Sequence, residues 1–309
     1  MKRLLALCSL LAALVAAGCG LGAGATPGNT KLVVTRDFGT APMLQLDAPK
    51  VRGSDTVMRL LQRNAKVTTR FGGGFVQSID GLTGGSRGGR QLDWFFYVNG
   101  VESEKGASAV RLAGGDVIWW DHHDWSTAMR SPAVVGSYPE PFLHGPNGKR
   151  LPVRLECSPT QTPACEAVQK QLTSSGIIAA QGGVAQSFTK ETLRILVGPY
   201  VQLRDDHAVR LLEAGPQTSG VYARPAADGR SIALLDVRGK TVQTLGPGSG
   251  LLAAVRFEDD QPVWVVTGTD AAGVAAATRA LDEGNLKNRF AVAVASDRAI
   301  PLPEAGSGQ

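Results

Sequence analysis

Asp121-His122-His123-Asp124 places two imidazoles between two carboxylates, a donor set suited to a transition metal. Neighbouring side chains in an extended segment point to opposite faces, so both rings rarely join one ion. His144 and His207 are the only other histidines, and both are distant in sequence. A solvated strand end with no metal is the expectation. Gly84–Gly88 spells G-x-S-x-G, but a nucleophile elbow needs a strand before the Ser and a helix after it. Here a Gly-rich loop precedes a strand, so the match is read as chance. No Ser/His/Asp, Cys/His or paired-carboxylate set has supporting context. The chain is read as a non-enzyme.

Aromatic residues form the second chemical feature. Four of the five tryptophans fall between Trp94 and Trp125, in DWFFYVNGVES and GGDVIWWDHHDW. Strand parity puts Trp94, Phe96 and Val98 on one face, and Phe95 and Tyr97 on the other. It likewise sets Val117 and Trp119 against Ile118 and Trp120. Both faces are apolar, yet a small sheet with one helix covers only one of them. The second face must meet water, another domain or a ligand. Trp94, Phe96, Tyr97, Trp119, Trp120, His122 and Trp125 are therefore the candidate ligand-binding residues.

The N-terminus says where such a surface would work. Met1-Lys2-Arg3 precedes the uncharged run LLALCSLLAALVAA and then Ala16-Ala17-Gly18-Cys19. This is a secretory signal pattern. Small residues leading directly into Cys resemble the bacterial lipobox, although Ala16 stands where that family usually has Leu. The resemblance implies cleavage after residue 18 and lipidation of Cys19. Each buried CH₂ of an acyl chain contributes about 0.8 kcal/mol, and two or more chains hold stably. The expected location is the extracytoplasmic face of the cell membrane, held by lipid. No later segment approaches the ~20 apolar residues of a spanning helix. Export makes Cys157 and Cys165 an even pair in an oxidising compartment, read as a disulfide in preference to free thiols or a metal pair.

The chain has 309 residues, enough for two domains, and a formal charge of +5, of which Lys2 and Arg3 supply two. The remaining charge is dispersed, which argues against a nucleic-acid partner. Gly20–Thr30 reads as the main part of a tether over residues 19–30. From residue 31 to 127 strands predominate, with one short helix capped by Ser54 or Asp55 and carrying Val57, Leu60 and Leu61 on one face. Asn99-Gly100 signals a tight hairpin turn. Residues 128–150 are rich in Pro, Gly and Ser and read as a linker or a strap. From 151 to 309 strands alternate with a helix from Thr162-Pro163, a helix carrying Leu203, Leu211 and Leu212, and an Ala-rich helix from Thr269 or Asp270 to about Glu283, before FAVAVA closes the sheet. The fold class is α+β, the second half being an α/β domain of mixed sheet and unassigned role.

Residues 30–127 resemble the transcobalamin-like C-terminal domain family, a small β-grasp module of exported bacterial proteins. The resemblance rests on Thr56-Val57, Leu60-Leu61, Ile79-Asp80-Gly81, Trp94, Tyr97-Val98-Asn99-Gly100, Gly115-Asp116 and Ile118-Trp119. It implies a β-grasp N-terminal domain. It also implies a cobalamin-like or other planar, amphipathic ligand, since proteins of that type use the module as one wall of a corrinoid site. The Gly-rich insert Thr83–Arg90 and the DHHDW tail depart from the pattern. The expected function is ligand binding at the membrane surface, feeding an envelope transport protein for uptake. The alternative is an envelope structural or adhesion protein that docks a protein partner through its aromatic face.

Overall fold

The computed structural model describes residues 27–146, 148–184 and 189–305. The expected signal peptide, the lipidation site Cys19 and the tether up to residue 26 lie outside the described residues.

The N-terminal half is a β-grasp arrangement. β1 (Lys31–Arg36) and β2 (Ala41–Leu46) form a hairpin, and α1 (Val57–Asn64) follows. A small sheet of β3 (Val67–Arg70), β4 (Phe75–Ile79) and β5 (Leu82–Thr83) comes next. The main sheet is completed by β6 (Gly85–Arg87), β7 (Arg90–Val98), β8 (Val101–Glu102) and β9 (Val117–Asp124). Its order is β2-β1-β9-β7-β6, with β8 pairing the far end of β7. β1 and β9 run parallel at the centre, and β7 runs antiparallel to β9.

Local chemistry explains these elements. The cap of α1 is Thr56, whose Oγ1 accepts from the Arg59 amide, and not Ser54 or Asp55. Asp55 instead takes Arg63 in a bidentate pair at 2.6 and 3.0 Å. The helix buries Val57, Met58, Leu60 and Leu61 against Leu32, Val34, Trp94, Phe96, Ile118 and Trp120. Asn99 and Gly100 both have positive φ, as the tight hairpin turn requires. The Asn99 side chain locks that turn by bonding Asp116, the Gly145 carbonyl and the Val117 amide.

The C-terminal half has a seven-stranded mixed sheet. β10 (Val153–Cys157), β11 (Ala179–Gly183), β12 (Leu193–Pro199) and β17 (Val263–Gly268) are parallel to their neighbours among these strands. β16 (Gly250–Val255), β18 (Ala291–Ala295) and β19 (Arg298–Leu302) continue the sheet antiparallel. α2 (Thr162–Ser174) and α6 (Ala271–Arg279) cover one face. The other face meets a small sheet of β13 (Ala223–Pro225), β14 (Ile232–Leu235) and β15 (Thr241–Leu245). Cys157 and Cys165 form the disulfide, with Cα atoms 6.0 Å apart, tying the end of β10 to the first turns of α2.

Three elements differ from the sequence reading. The single helix expected around Leu203–Leu212 is broken into α3 (Tyr200–Leu203), α4 (His207–Arg210), a 3₁₀ turn (Leu211–Ala214) and α5 (Pro216–Ser219). Asp206 restarts the chain by accepting from the Ala208 and Val209 amides, and Gly215-Pro216 ends it. α6 stops at Arg279, and Asp282 caps a separate turn, α7 (Glu283–Leu286). FAVAVA is not the last strand: Ser296 and Asp297 turn with positive φ into β19.

The second face of the N-terminal sheet is covered by the C-terminal half. Val33, Phe38, Tyr97 and Trp119 share one apolar core with Tyr222, Phe290 and one face of the seven-stranded sheet. Phe290 lies 5.1 Å from Phe38, 5.3 Å from Trp119 and His123, and 5.6 Å from Tyr97, edge-on to each. Between residues 128 and 146 the chain packs on both halves as a strap. The Val134 amide donates to the Gly100 carbonyl and that of Val135 to the Phe290 carbonyl. Close approach is possible because of two glycines. A Cβ on Gly39 would stand 1.9 Å from the Asn288 carbonyl oxygen, and one on Gly136 would stand 2.5 Å from the Arg289 amide.

Residues 31–127 expressed alone should therefore expose Phe38, Phe95, Tyr97 and Trp119, self-associate and bind a hydrophobic dye. In the whole chain Phe290→Ala should cost about 3–5 kcal/mol. Urea unfolding followed by tryptophan fluorescence, with dye binding, checks both. A monomeric, dye-silent fragment would contradict the shared core.

Candidate functional site

The seven aromatic and histidine candidates do not line one open surface. Trp94, Phe96, Trp120 and His122 lie on the helix side of the sheet, and Tyr97 and Trp119 lie in the contact with the C-terminal half. All six are at most 9% exposed, and Trp125 is half-buried at the sheet's end. Trp94 Nε1 donates to the Leu82 carbonyl, Phe96 stacks on Trp120 at 4.8 Å, and Trp119 Nε1 donates to Thr35 Oγ1. Strand parity is as expected, and of the occupants open to the second face it is the second domain that covers it. The aromatic wall is thus a domain interface. An extended sequence shows which side chains share a face, but not which distant segment seats on that face.

Asp121–Asp124 is likewise buried, not a solvated strand end. Asp121 accepts from the Phe38 and Gly39 amides and from Thr35, and pairs with His123 Nδ1 at 2.9 Å. Phe38 has a positive φ, and this carboxylate holds it there. His123 stacks on Phe95, while His122 turns the opposite way beside Trp94, its basicity lowered by burial. Asp124 takes Arg90 and Ser126. Among the described residues no group of three or more His, Cys, Asp or Glu side chains could hold a metal ion. Ser86 of the G-x-S-x-G match sits on the exposed strand β6 beside Gln91.

An open cleft lies elsewhere, at the other end of the central strands. It has a volume of about 750 Å³ and is walled by three parts of the chain. The N-terminal half contributes Lys31 and Val33 from β1, with Gln45, Asp47, Gly114, Gly115 and Val117. The strap contributes Gly136–Glu140, Leu143 and His144. The C-terminal half contributes Glu283, Lys287 and Asn288. The size falls in the range of small-molecule pockets, which favour domain interfaces.

Its most ordered polar feature is the Glu140–His144 pair. Glu140 is almost wholly buried and its Oε1 meets His144 Nδ1 at 2.5 Å, while Oε2 accepts the His144 amide at 3.0 Å. Burial pushes the Glu140 carboxyl up, against the lowering effect of its His144 bonds. Burial also pushes Asp116 up, opposed by bonds from the Ala113 amide and Asn99. His144 Nδ1 is thus held on Glu140, and its other ring nitrogen, Nε2, is free of that pair. Nε2 packs on Gly115, where a Cβ would come within 2.3 Å of it. Ser137 Oγ, buried at the cleft wall, has no hydrogen-bond partner among the described residues. Lys31 and Lys287 are exposed at the rim, and neither has an ion-pair partner among the described residues. The cleft thus offers charges of both signs, Lys31 and Lys287 with Asp47 and Glu283, beside an apolar wall of Val33, Leu143 and Tyr138.

Sequence reasoning missed this site. His144 figured there only as a remote metal ligand, and the signal that could have found it was the Glu140–His144 spacing inside a Pro-bounded segment. A second buried charge cluster, Arg194 between Glu156 and Asp206, ties β10, β12 and the start of α4 together.

Residues 54–124 match a domain of unknown function, DUF4430. This is a domain known in transcobalamin-like proteins. The match runs from before α1 to the end of β9 and leaves out the β1–β2 hairpin, the strap and the C-terminal half. No curated protein matches the chain.

A carboxyl raised in the folded state binds its proton more tightly folded than unfolded. Its contribution to stability therefore weakens as pH rises from below its ordinary 4.5 through the raised value. Glu140→Gln should gain stability relative to the parent chain across that window. Urea midpoints taken from about pH 4 upward check this, and a relative stability that falls with pH would contradict it.

Proposed function

We propose that this chain is a lipid-anchored binding protein of the extracytoplasmic membrane face, tethered through Cys19, that takes a small amphipathic ligand in the interdomain cleft. The reading is non-catalytic. The observation that carries it is the cleft itself, with two lysines at its rim that lack ion-pair partners among the described residues, beside Val33, Leu143 and Tyr138. The DUF4430 match supports a corrinoid or another planar, amphipathic macrocycle as the ligand class, one edge of which enters the cleft. Passing the ligand to an envelope transport protein is the corresponding role. The adhesion reading relied on an open aromatic face, and Phe95, Tyr97 and Trp119 pack within this same chain.

Trp119 reports on the cleft, since its ring lies 2.7 Å from the position of a Cβ on Gly136, a cleft residue. Titrating the chain from Gly20 onward with cobalamin, cobinamide and haem should give saturable quenching for one of them at micromolar ligand. Lys287→Glu should weaken that binding roughly tenfold. No saturable change with any of the three would sink the ligand class. Mass spectrometry of protein extracted from native membrane checks the anchor: acyl chains on Cys19 are expected, and an unmodified mature N-terminus would overturn it.

A further inference from the structure

The β3–β4 hairpin tip carries a feature that the cleft does not use. Phe71 is 85% exposed, more than any other large apolar side chain described, and Phe75 beside it is 37% exposed. Their rings touch edge to face at 6.2 Å across the turn Gly72-Gly73-Gly74. The two rings cover each other in part. Isolated exposed apolar residues need no explanation, but a paired aromatic tip on a short projecting hairpin is an apolar wedge.

The charge around the tip is positive. Arg70 pairs across the hairpin with Phe75 in register and is exposed. Lys105 is exposed on the adjoining turn, which is fastened to the tip through Ser108 Oγ and the Gly73 carbonyl. The nearby acids are neutralised or turned inward. Glu104 is paired with Arg256 at 2.8 Å, and Asp93, half-buried, faces Arg70. Exposed aromatic rings beside Lys105 and Arg70, the latter offset only by the half-buried Asp93, suit an anionic lipid surface.

Chain length fits the same partner. The Gly115 amide bonds the Gly28 carbonyl, so the tether reaches the fold beside Gly114–Gly115. Nine Cα–Cα steps separate Cys19 from Gly28, a span of at most about 32 Å. Residues 106–115 run between that entry point and the tip, since Gly106 lies against the Gly74 carbonyl. A lipid on Cys19 would hold the fold within one tether length of the bilayer, with the hairpin along the same stretch of chain.

We infer that the Phe71–Phe75 tip is a second membrane contact, inserting its two rings into the headgroup boundary of an anionic phospholipid bilayer while Arg70 and Lys105 meet the lipid phosphates. The inference rests on the lipid anchor of the proposed function for its biological setting, but its test does not require the lipid.

The chain from Gly20 onward contains every described residue and carries no acyl group. It should co-sediment with vesicles of phosphatidylcholine and phosphatidylglycerol, and much less with phosphatidylcholine alone. Phe71→Ser should lower the partition roughly fivefold and the Phe71→Ser/Phe75→Ser pair roughly tenfold or more. Arg70→Gln/Lys105→Gln should abolish the preference for phosphatidylglycerol. Urea midpoints should be unchanged for Phe71→Ser, because its ring is exposed. Absent binding by the parent chain, or equal binding by Phe71→Ser, overturns the inference. Equal binding to both vesicle types overturns its electrostatic half. Vesicle binding by a chain whose native form lacks lipid on Cys19 would refute the anchor and leave the tip standing.

Discussion

The ring of Phe290, seated among Phe38, Tyr97, Trp119 and His123, is the contact on which the rest of the structure depends. A β-grasp sheet with a single short helix leaves one face bare. In this chain that face is rich in aromatic side chains, whose exposure to water would be costly. The C-terminal half supplies the cover from the residue just before β18. The two halves therefore share a core and are not beads on a linker. The near-perpendicular ring geometry sets the positive edge of one ring against the face of the other in each pair, which adds to burial.

A buried polar node keeps this cage in register. The Asp121 carboxylate holds the Asp37–Gly39 turn through two amides, and that turn aims Phe38 at Phe290. The same carboxylate orients His123, which stacks on Phe95. A segment that reads as a metal-binding motif is thus the polar support of an apolar joint. Burying a carboxylate is costly unless its oxygens are fully occupied, and Asp121 is occupied by four donors. Glycines at 39 and 136 complete the fit, since any side chain there would hold the two halves apart.

Joining the halves along the middle of the sheet leaves a gap at its end. There the first residues of β1 and β9 face the strap and the turn before Phe290. The cleft is this gap, and its polar wall follows from what borders it: the chain entry at Gly28, the Glu140–His144 pair and the residues Lys287-Asn288. Interface and cleft thus arise from one packing decision. The aromatic surface is used up in making the molecule, and binding is left to its polar edge.

Much of this was legible in the residues. Alternation along β7 and β9 assigned Trp94 and Phe96 to one face and Tyr97 to the other, because the pleat has a period of two. Asn99-Gly100 fixed a hairpin, since few other residue pairs tolerate two positive φ values. Cys157 and Cys165 announced their bond by number and spacing. Boundaries governed by single caps were less legible: Thr56 displaced Asp55 because Arg63, two turns further on, claims that carboxylate. What covers Tyr97 and Trp119 could not be read at all. Phe290 is nearly two hundred residues away, in a segment with no mark to distinguish it, and the match is made by shape. Local sequence determines periodicity, turns and caps through interactions between near neighbours. Only the tertiary structure decides which apolar faces meet, because burial is non-directional and any face of suitable shape could serve.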